Sequence, residues 1–143
     1  MVTAYLCGTN PNRKGVSMIS TNGLNHIALQ VNDLEQAAAF YTDLFNMEVT
    51  RQTDSMTFLK TIGATDMIAL NRSEAKAASG KGMVHFGFIV EPAQFDAALA
   101  TIEAKATPIV SGPGTRGEGR YVFIEDPDGY TVEIFECLSP AYQ

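Results

Sequence analysis

The pattern that most restricts this chain is one that occurs twice. Residues 24–71 read as strand, helix and three strands, and residues 83–136 give the same order again. In the first half, Leu24 to Val31 alternates in character and reads as a strand. Asn32 or Asp33 then caps a helix, with Glu35 placed to complete a capping box behind Asn32. Leu34, Ala37, Ala38, Tyr41, Leu44 and Phe45 recur at helical spacing, giving one apolar face, and Asn46 closes the helix. Short strands are expected at Glu48 to Thr53, Thr57 to Ile62 and Asp66 to Asn71, with turns at Asp54-Ser55 and Gly63-Ala64. Arg72 to Gly82 reads as a linker or short helix. Beyond it come a strand over Met83 to Val90 and a helix with Pro92 in its first turn, carrying Phe95, Ala98, Leu99 and Ile102. A strand at Thr107 to Ser111, a long loop Gly112 to Gly119, and strands at Tyr121 to Glu125 and Tyr130 to Glu136 complete the half. Asp126-Pro127-Asp128-Gly129 joins the last two as a strong turn signal. The expectation is an α+β fold of two βαβββ modules in a single domain over residues 23–143. The polar, Gly-, Asn- and Pro-containing residues 1–22 read as an irregular extension, and Met18 is a candidate alternative start.

The chain has 143 residues, enough for one ordinary domain with a substantial core. Its formal charge of −6 excludes the usual electrostatics of a nucleic-acid or anionic-membrane partner. Arg13-Lys14 is the one adjacent basic pair, so no local patch reverses this. Cys7 and Cys137 form no CxxC motif and read as free thiols of a cytoplasmic protein. The N-terminus lacks the basic start and apolar run of a signal peptide.

Both histidines of the chain, His26 and His85, lie in the first strand of their respective halves, 59 residues apart. Alternate side chains of a strand share a face. Ile27, Leu29 and Val31 therefore turn toward the helix, and His26, Ala28 and Gln30 turn away from it. Val84, Phe86, Phe88 and Val90 repeat the inward set, opposite His85 and Gly87. Val132 and Ile134 of the last strand face the core, opposite Thr131, Glu133 and Phe135. His26, His85 and Glu133 thus fall on the sheet face away from the helices. Two imidazoles and a carboxylate suit one divalent ion such as Fe(II), Mn(II), Ni(II) or Zn(II), with open positions for a substrate. Ala28 and Gly87 leave room beside them.

The segments NHIALQVNDLEQAAAFYTDLFNMEV, GMVHFGFIV and YVFIEDPDGYTVEIFE closely resemble the vicinal oxygen chelate superfamily. That group includes glyoxalase I, fosfomycin-resistance thiol transferases, extradiol dioxygenases, methylmalonyl-CoA epimerase and bleomycin-resistance proteins. The resemblance implies a curled mixed sheet forming a cup, with the helices on its outer face. It also implies His26, His85 and Glu133 as metal ligands, and a homodimer whose sites combine modules of both subunits. Departures narrow the chemistry. Ala69 stands where glyoxalase I and the epimerase place a fourth ligand, and alanine neither ligates nor accepts a proton. A third histidine, used by extradiol dioxygenases as an acid–base group, is absent, and Phe123 replaces their tyrosine. Ala28 and the loop SGPGTRGEGR depart from the phosphonate-binding residues of the fosfomycin enzymes.

The expectation is a metal-dependent enzyme, lyase-, isomerase- or dioxygenase-like, acting on a small oxygen-bearing substrate that chelates the ion. No catalytic residue is assigned. The alternative is a non-catalytic small-molecule binding protein of the bleomycin-resistance type. Arg116 and Arg120 are candidate clamps for a carboxylate or phosphate, or else solvated loop charges. Tyr121 and Phe123, with Phe58 and Phe135, are candidate pocket walls or core residues. Residues 112–119 could form a lid or a plain hairpin connection.

Overall fold

A computed structural model describes residues 24–74, 85–117 and 119–137. The expected extension over residues 1–22, most of the linker, Met83, Val84 and Cys7 lie outside the described residues. Eight strands and two α-helices follow the expected order. The first module contains β1 (Ile27–Val31), α1 (Leu34–Phe45), β2 (Met47–Gln52), β3 (Met56–Thr61) and β4 (Met67–Arg72). The second contains β5 (Phe86–Val90), α2 (Phe95–Ala104), β6 (Ile109–Arg116), β7 (Gly119–Glu125) and β8 (Thr131–Cys137). A short 3-10 turn, Pro92–Gln94, leads into α2.

Each module forms its own four-stranded mixed sheet, in the orders β1-β4-β3-β2 and β5-β8-β7-β6. The first strand of each pairs parallel with the last, and the other neighbours are antiparallel. A parallel pairing of this kind needs a crossover, and the helix of each module lies within it. Asp33 caps α1, its Oδ1 accepting from the backbone N–H groups of Glu35 and Gln36 at 2.9 and 3.0 Å. Asn46 ends the helix in the left-handed region at φ 52°, a conformation that asparagine tolerates better than most residues.

The modules share one core. Leu29, Val31, Leu34, Tyr41, Leu59 and Leu70 from the first join Phe95, Ile102, Val122, Ile124 and Val132 from the second. Between them, Phe45 stacks on Phe88 at 4.2 Å, and Tyr41 lies 6.3 Å from Phe86. Polar contacts fasten the same seam. The Tyr41 hydroxyl donates to Asp126 Oδ2 at 2.6 Å, and Asp126 Oδ1 accepts from the backbone N–H groups of Asp128 and Tyr130. The Tyr130 hydroxyl accepts from Gln30 N and donates to Gln30 O, both at 3.1 Å. Asn32 N donates to Asp128 Oδ1 at 2.9 Å. The Asp-Pro-Asp-Gly turn is therefore a clasp from the second module onto the first.

The main departure from the expected elements is β6. Residues 112–119 were expected as a loop, yet Ile109–Arg116 is one strand paired with β7. Register shifts between Ile109 and Ser111 and between Ser111 and Gly114 take up the irregular Gly112-Pro113 step. Bulges of this sort let pairing resume beyond residues that cannot themselves join the ladder. The chain turns at Gly117, which has φ 56°. Among the described residues, no helix is long and apolar enough to cross a membrane.

Candidate functional site

Glu133 is the centre of the open face of the second sheet. It lies in β8 between Gly87 of β5 and Phe123 of β7, its register partners on either side. Its neighbours Val132 and Ile134 are buried against the core, so the alternation expected from the sequence holds. The carboxylate is itself buried, with the side chain 10% exposed. The glycine beside it has a physical reason. A Cβ on Gly87 would stand 3.0 Å from Glu133 Cβ and 3.1 Å from its carbonyl oxygen, crowding the carboxylate's own strand.

His85 immediately precedes β5 and reaches the same carboxylate, with Nε2 3.3 Å from Glu133 Oε2. Its ring meets Phe123 edge-on at 5.0 Å. Arg116, the last residue of β6, donates from Nη2 to Glu133 Oε1 at 2.6 Å. Its guanidinium lies over the rings of Tyr121 and Phe123, at 5.2 and 5.9 Å. His85, Glu133, Arg116, Tyr121 and Phe123 thus form one cluster, built from four neighbouring strands or their ends.

His26 lies elsewhere. Among the described residues, no three His, Cys, Asp or Glu side chains gather closely enough to hold a metal. His26 immediately precedes β1 and is exposed, on the face away from α1 as expected. Its Nδ1 is 2.7 Å from Asn25 Oδ1. With the amide oxygen as acceptor, Nδ1 donates, so Nε2 is the ring nitrogen left to meet a further partner. A groove of about 210 Å³ runs from His26 and Met67 to Phe86 and Gly87, so the first strands of both modules border it. A larger apolar cavity, about 310 Å³, lies between α1, β5 and α2, away from every one of these titratable groups.

Arg120 is not part of this cluster. Its position in β7 has the parity of Val122 and Ile124, which turns it toward α2 rather than toward the open face. There it pairs with Glu136 through Nε, with Asp96 through Nη1 at 2.7 Å, and lies 4.6 Å from the Phe95 ring centroid. The Glu136 hydrogen bond, despite an opposing desolvation effect, holds the guanidinium pKa above its ordinary value. Arg120, a candidate for either a clamp or a solvated loop charge, is placed as a brace between sheet and helix. Ala69, at the position considered for a fourth ligand, is buried between Ala28 and Phe58 in the sheet.

The contact missed in the sequence is the one between Arg116 and Glu133. Strand parity identifies Glu133, but the parity of Arg116 is hidden behind the two irregularities of β6. Recognising Gly114 and Arg116 as alternate positions of one strand would have placed the arginine on the face of Tyr121.

Comparison with known proteins fits this architecture. A family model for the Glyoxalase/Bleomycin resistance protein/Dioxygenase superfamily matches residues 23–134. The chain is 30% identical over 121 residues to the metallothiol transferase FosB of Shouchella clausii, covering 79% of each protein. It is 28% identical over 123 residues to the lactoylglutathione lyase GLX1 of Arabidopsis thaliana. That match covers 78% of this chain but spans only 43% of the plant protein. The crystal structure of the fosfomycin resistance protein FosX from Listeria monocytogenes aligns with a TM-score of 0.68 at 27% identity. It covers 83% of this chain and 94% of that one.

Proposed function

The chain belongs to the Glyoxalase/Bleomycin resistance protein/Dioxygenase superfamily, and we propose that within it the protein is a metal-dependent enzyme acting on a small oxygen-bearing, ion-chelating substrate. The observation carrying this reading is the pairing of His85 with the buried carboxylate of Glu133 across adjacent strands. A carboxylate is seldom buried unless a cation or a set of hydrogen bonds offsets the loss of water. The donors fit a divalent first-row ion, with neutral imidazole nitrogen and carboxylate oxygen as the ligand types. Enzyme relatives named as metallothiol transferase and lactoylglutathione lyase support the same reading.

Among the described residues of one chain the pair has no third donor, and in this proposal His26 supplies it from a second copy. Its exposed position just before β1, with Nδ1 engaged by Asn25 and Nε2 left over, suits ligation across a homodimer interface. When bound, the ion would supply Lewis-acid stabilisation for charge developing on the substrate's oxygens. The chain's own residues perform the rest. Glu133 adds negative charge and fixes the ligand geometry from a rigid central strand. Gly87 and Ala28 keep the face open for substrate, and Tyr121 and Phe123 form an apolar wall that limits water beside it.

Metal loading tests the proposal. Chelator-stripped protein is offered Mn(II), Ni(II), Zn(II) and, without oxygen, Fe(II), and bound metal is measured by elemental analysis alongside oligomeric state. One ion per chain in a dimer is expected, with binding lost in Glu133→Ala, His85→Ala and His26→Ala. Failure to bind any of the ions would refute the metal reading and favour a metal-free binding protein of the same fold. Stoichiometric binding by a monomer, unaffected by His26→Ala, would refute the shared site.

A further inference from the structure

A well-packed protein has few voids larger than a water molecule. The apolar cavity between α1, β5 and α2, at about 310 Å³, reaches the size at which small-molecule sites begin. One wall is the stacked pair Phe45 and Phe88, with ring centroids 4.2 Å apart and both side chains half-buried. The opposite wall is α2, which presents Ala97, Ala98 and Thr101 and so leaves the space unfilled over one helical turn. Ile134, the register partner of Phe88, and Ile89, 55% exposed on the edge strand β5, also line it. None of the described residues lining the cavity is charged. Water in such a space finds few partners, whereas an apolar cavity of about 150 Å³ already admits a benzene-sized guest.

The polar groups of the lining narrow the occupant. The Thr101 hydroxyl donates to Ala97 O at 2.9 Å, and the Thr61 hydroxyl donates to Asp66 Oδ2 at 2.7 Å. Both hydroxyl hydrogens are therefore committed, leaving lone pairs that can accept. Gln94 is exposed at the rim and makes no capping hydrogen bond to α2. A charged guest would lose its water without meeting an opposite charge in the lining. We propose that this cavity binds a small uncharged aromatic molecule carrying one hydrogen-bond donor, of the phenol or indole type. Its ring packs against Phe45 and Phe88, the two alanines give it clearance, and its O–H or N–H donates to Thr101 or Thr61. This site is separate from the Glu133 face and does not rest on the metal reading. Gly87–Glu133 and Phe88–Ile134 are successive register pairs of β5 and β8, so the two sites share a strand pair.

Two-dimensional NMR titration of the chelator-treated full chain with indole, and with 1-methylindole as the matched probe lacking a donor, tests the site. Saturable shifts are expected at the backbone amides of Phe88, Ala98 and Thr101. Indole should bind about fivefold more tightly than 1-methylindole, as one neutral hydrogen bond implies. The double variant Thr61→Val/Thr101→Val should still bind both probes but lose that preference. Ala98→Phe fills the space, and should abolish saturable binding while Tm stays the same or rises. If Ala98→Phe does not fold, Ala97→Leu, at an exposed position, decides instead through a several-fold loss of indole affinity. No saturable binding, shifts confined to the His85–Glu133 face, equal affinity of wild type for the two probes, or undiminished indole affinity in the cavity-filling variant would overturn the assignment. Dissociation of a dimer on adding indole would also overturn it, because a second copy would then be the occupant. Metal loading is a separate measurement, so failure here leaves the proposed metal site standing.

Discussion

Replacing Tyr41 by phenylalanine removes one oxygen from the seam between the modules. The ring contacts with Phe40, Phe45 and Phe86 survive, because they involve the ring alone. What disappears is the 2.6 Å donation to Asp126 Oδ2, and Asp126 is buried. A hydrogen bond to a charged group contributes about 1.5–3 kcal/mol, and a neutral one about 0.5–1.5 kcal/mol. Near pH 7.5 the variant should therefore lose about 2 kcal/mol, corresponding to a fall in Tm of roughly 5–10 °C for a domain of this size. The loss should also depend on pH. Burial raises the Asp126 pKa above its ordinary value of 3.8, while Tyr41 and the Tyr130 and Asp128 N–H groups pull it back down. Burial, then the Asp126 charge, pushes the Tyr41 phenol well above its ordinary value, so it remains protonated and donates. Deleting the hydroxyl raises the folded-state pKa of Asp126 further. An acid with a raised folded pKa binds protons more tightly when folded, so its unfavourable contribution fades as pH falls through that pKa. The deficit of Tyr41→Phe should consequently narrow toward about 1 kcal/mol as pH drops toward 4. Urea unfolding of both proteins, followed by far-UV circular dichroism between pH 7.5 and 4, measures it, and titrations common to both cancel in the difference. A deficit below about 0.5 kcal/mol at pH 7.5, or one that stays constant across this range, would refute the reasoning.

Two further outcomes follow from close packing and from the brace on β7. Gly119→Ala would drive a Cβ into the backbone carbonyl of Glu136, which cannot move without breaking the β7–β8 ladder. Little folded protein is expected, and a variant with a wild-type melting curve would contradict the close approach of these strands. Arg120→Met leaves Glu136 buried without its cation, so Tm should fall. A second change, Glu136→Leu, should recover part of the loss, because it removes the stranded charge. Equal melting temperatures of the single and double variants would show that the pair is not coupled.

The module repeat and the faces of β1, β5 and β8 were legible because alternation and helical spacing are local signals. The face of Glu133 followed from Val132 and Ile134 alone, whereas the cap was narrowed only to Asn32 or Asp33, and the structure selects Asp33. The conformation of residues 112–116 was not legible in the same way. Glycine and proline there suggest a loop, and only the partner strand β7, absent from any local pattern, turns them into a bulged strand. The Arg116–Glu133 contact was hidden for that reason. Arg120 was misplaced by proximity to the same glycines, although counting back from Val122 and Ile124 would have sent it to the helix side. The relation of His26 to the other two candidate ligands lay beyond reach, because strand parity assigns a face within a sheet and says nothing of where two sheets stand.

The parity of β7 separates two arginines that are four residues apart and belong to neighbouring strands. Arg120 faces α2 and satisfies Glu136, whose burial makes a lost partner expensive. Arg116 faces the open side and satisfies Glu133, which has His85 as a second neighbour and, on the proposed reading, an ion as an alternative partner. Each of these two glutamates thus has its own cation, and Arg116 is the more exposed of the pair, at 57% against 37% for Arg120. That difference follows from the strand itself. A residue on the helix side is locked by packing on two surfaces, while a residue on the open side is held by the sheet alone. The same alternation that closes the core therefore leaves the opposite face with groups free to exchange partners, which is the property a ligand site needs.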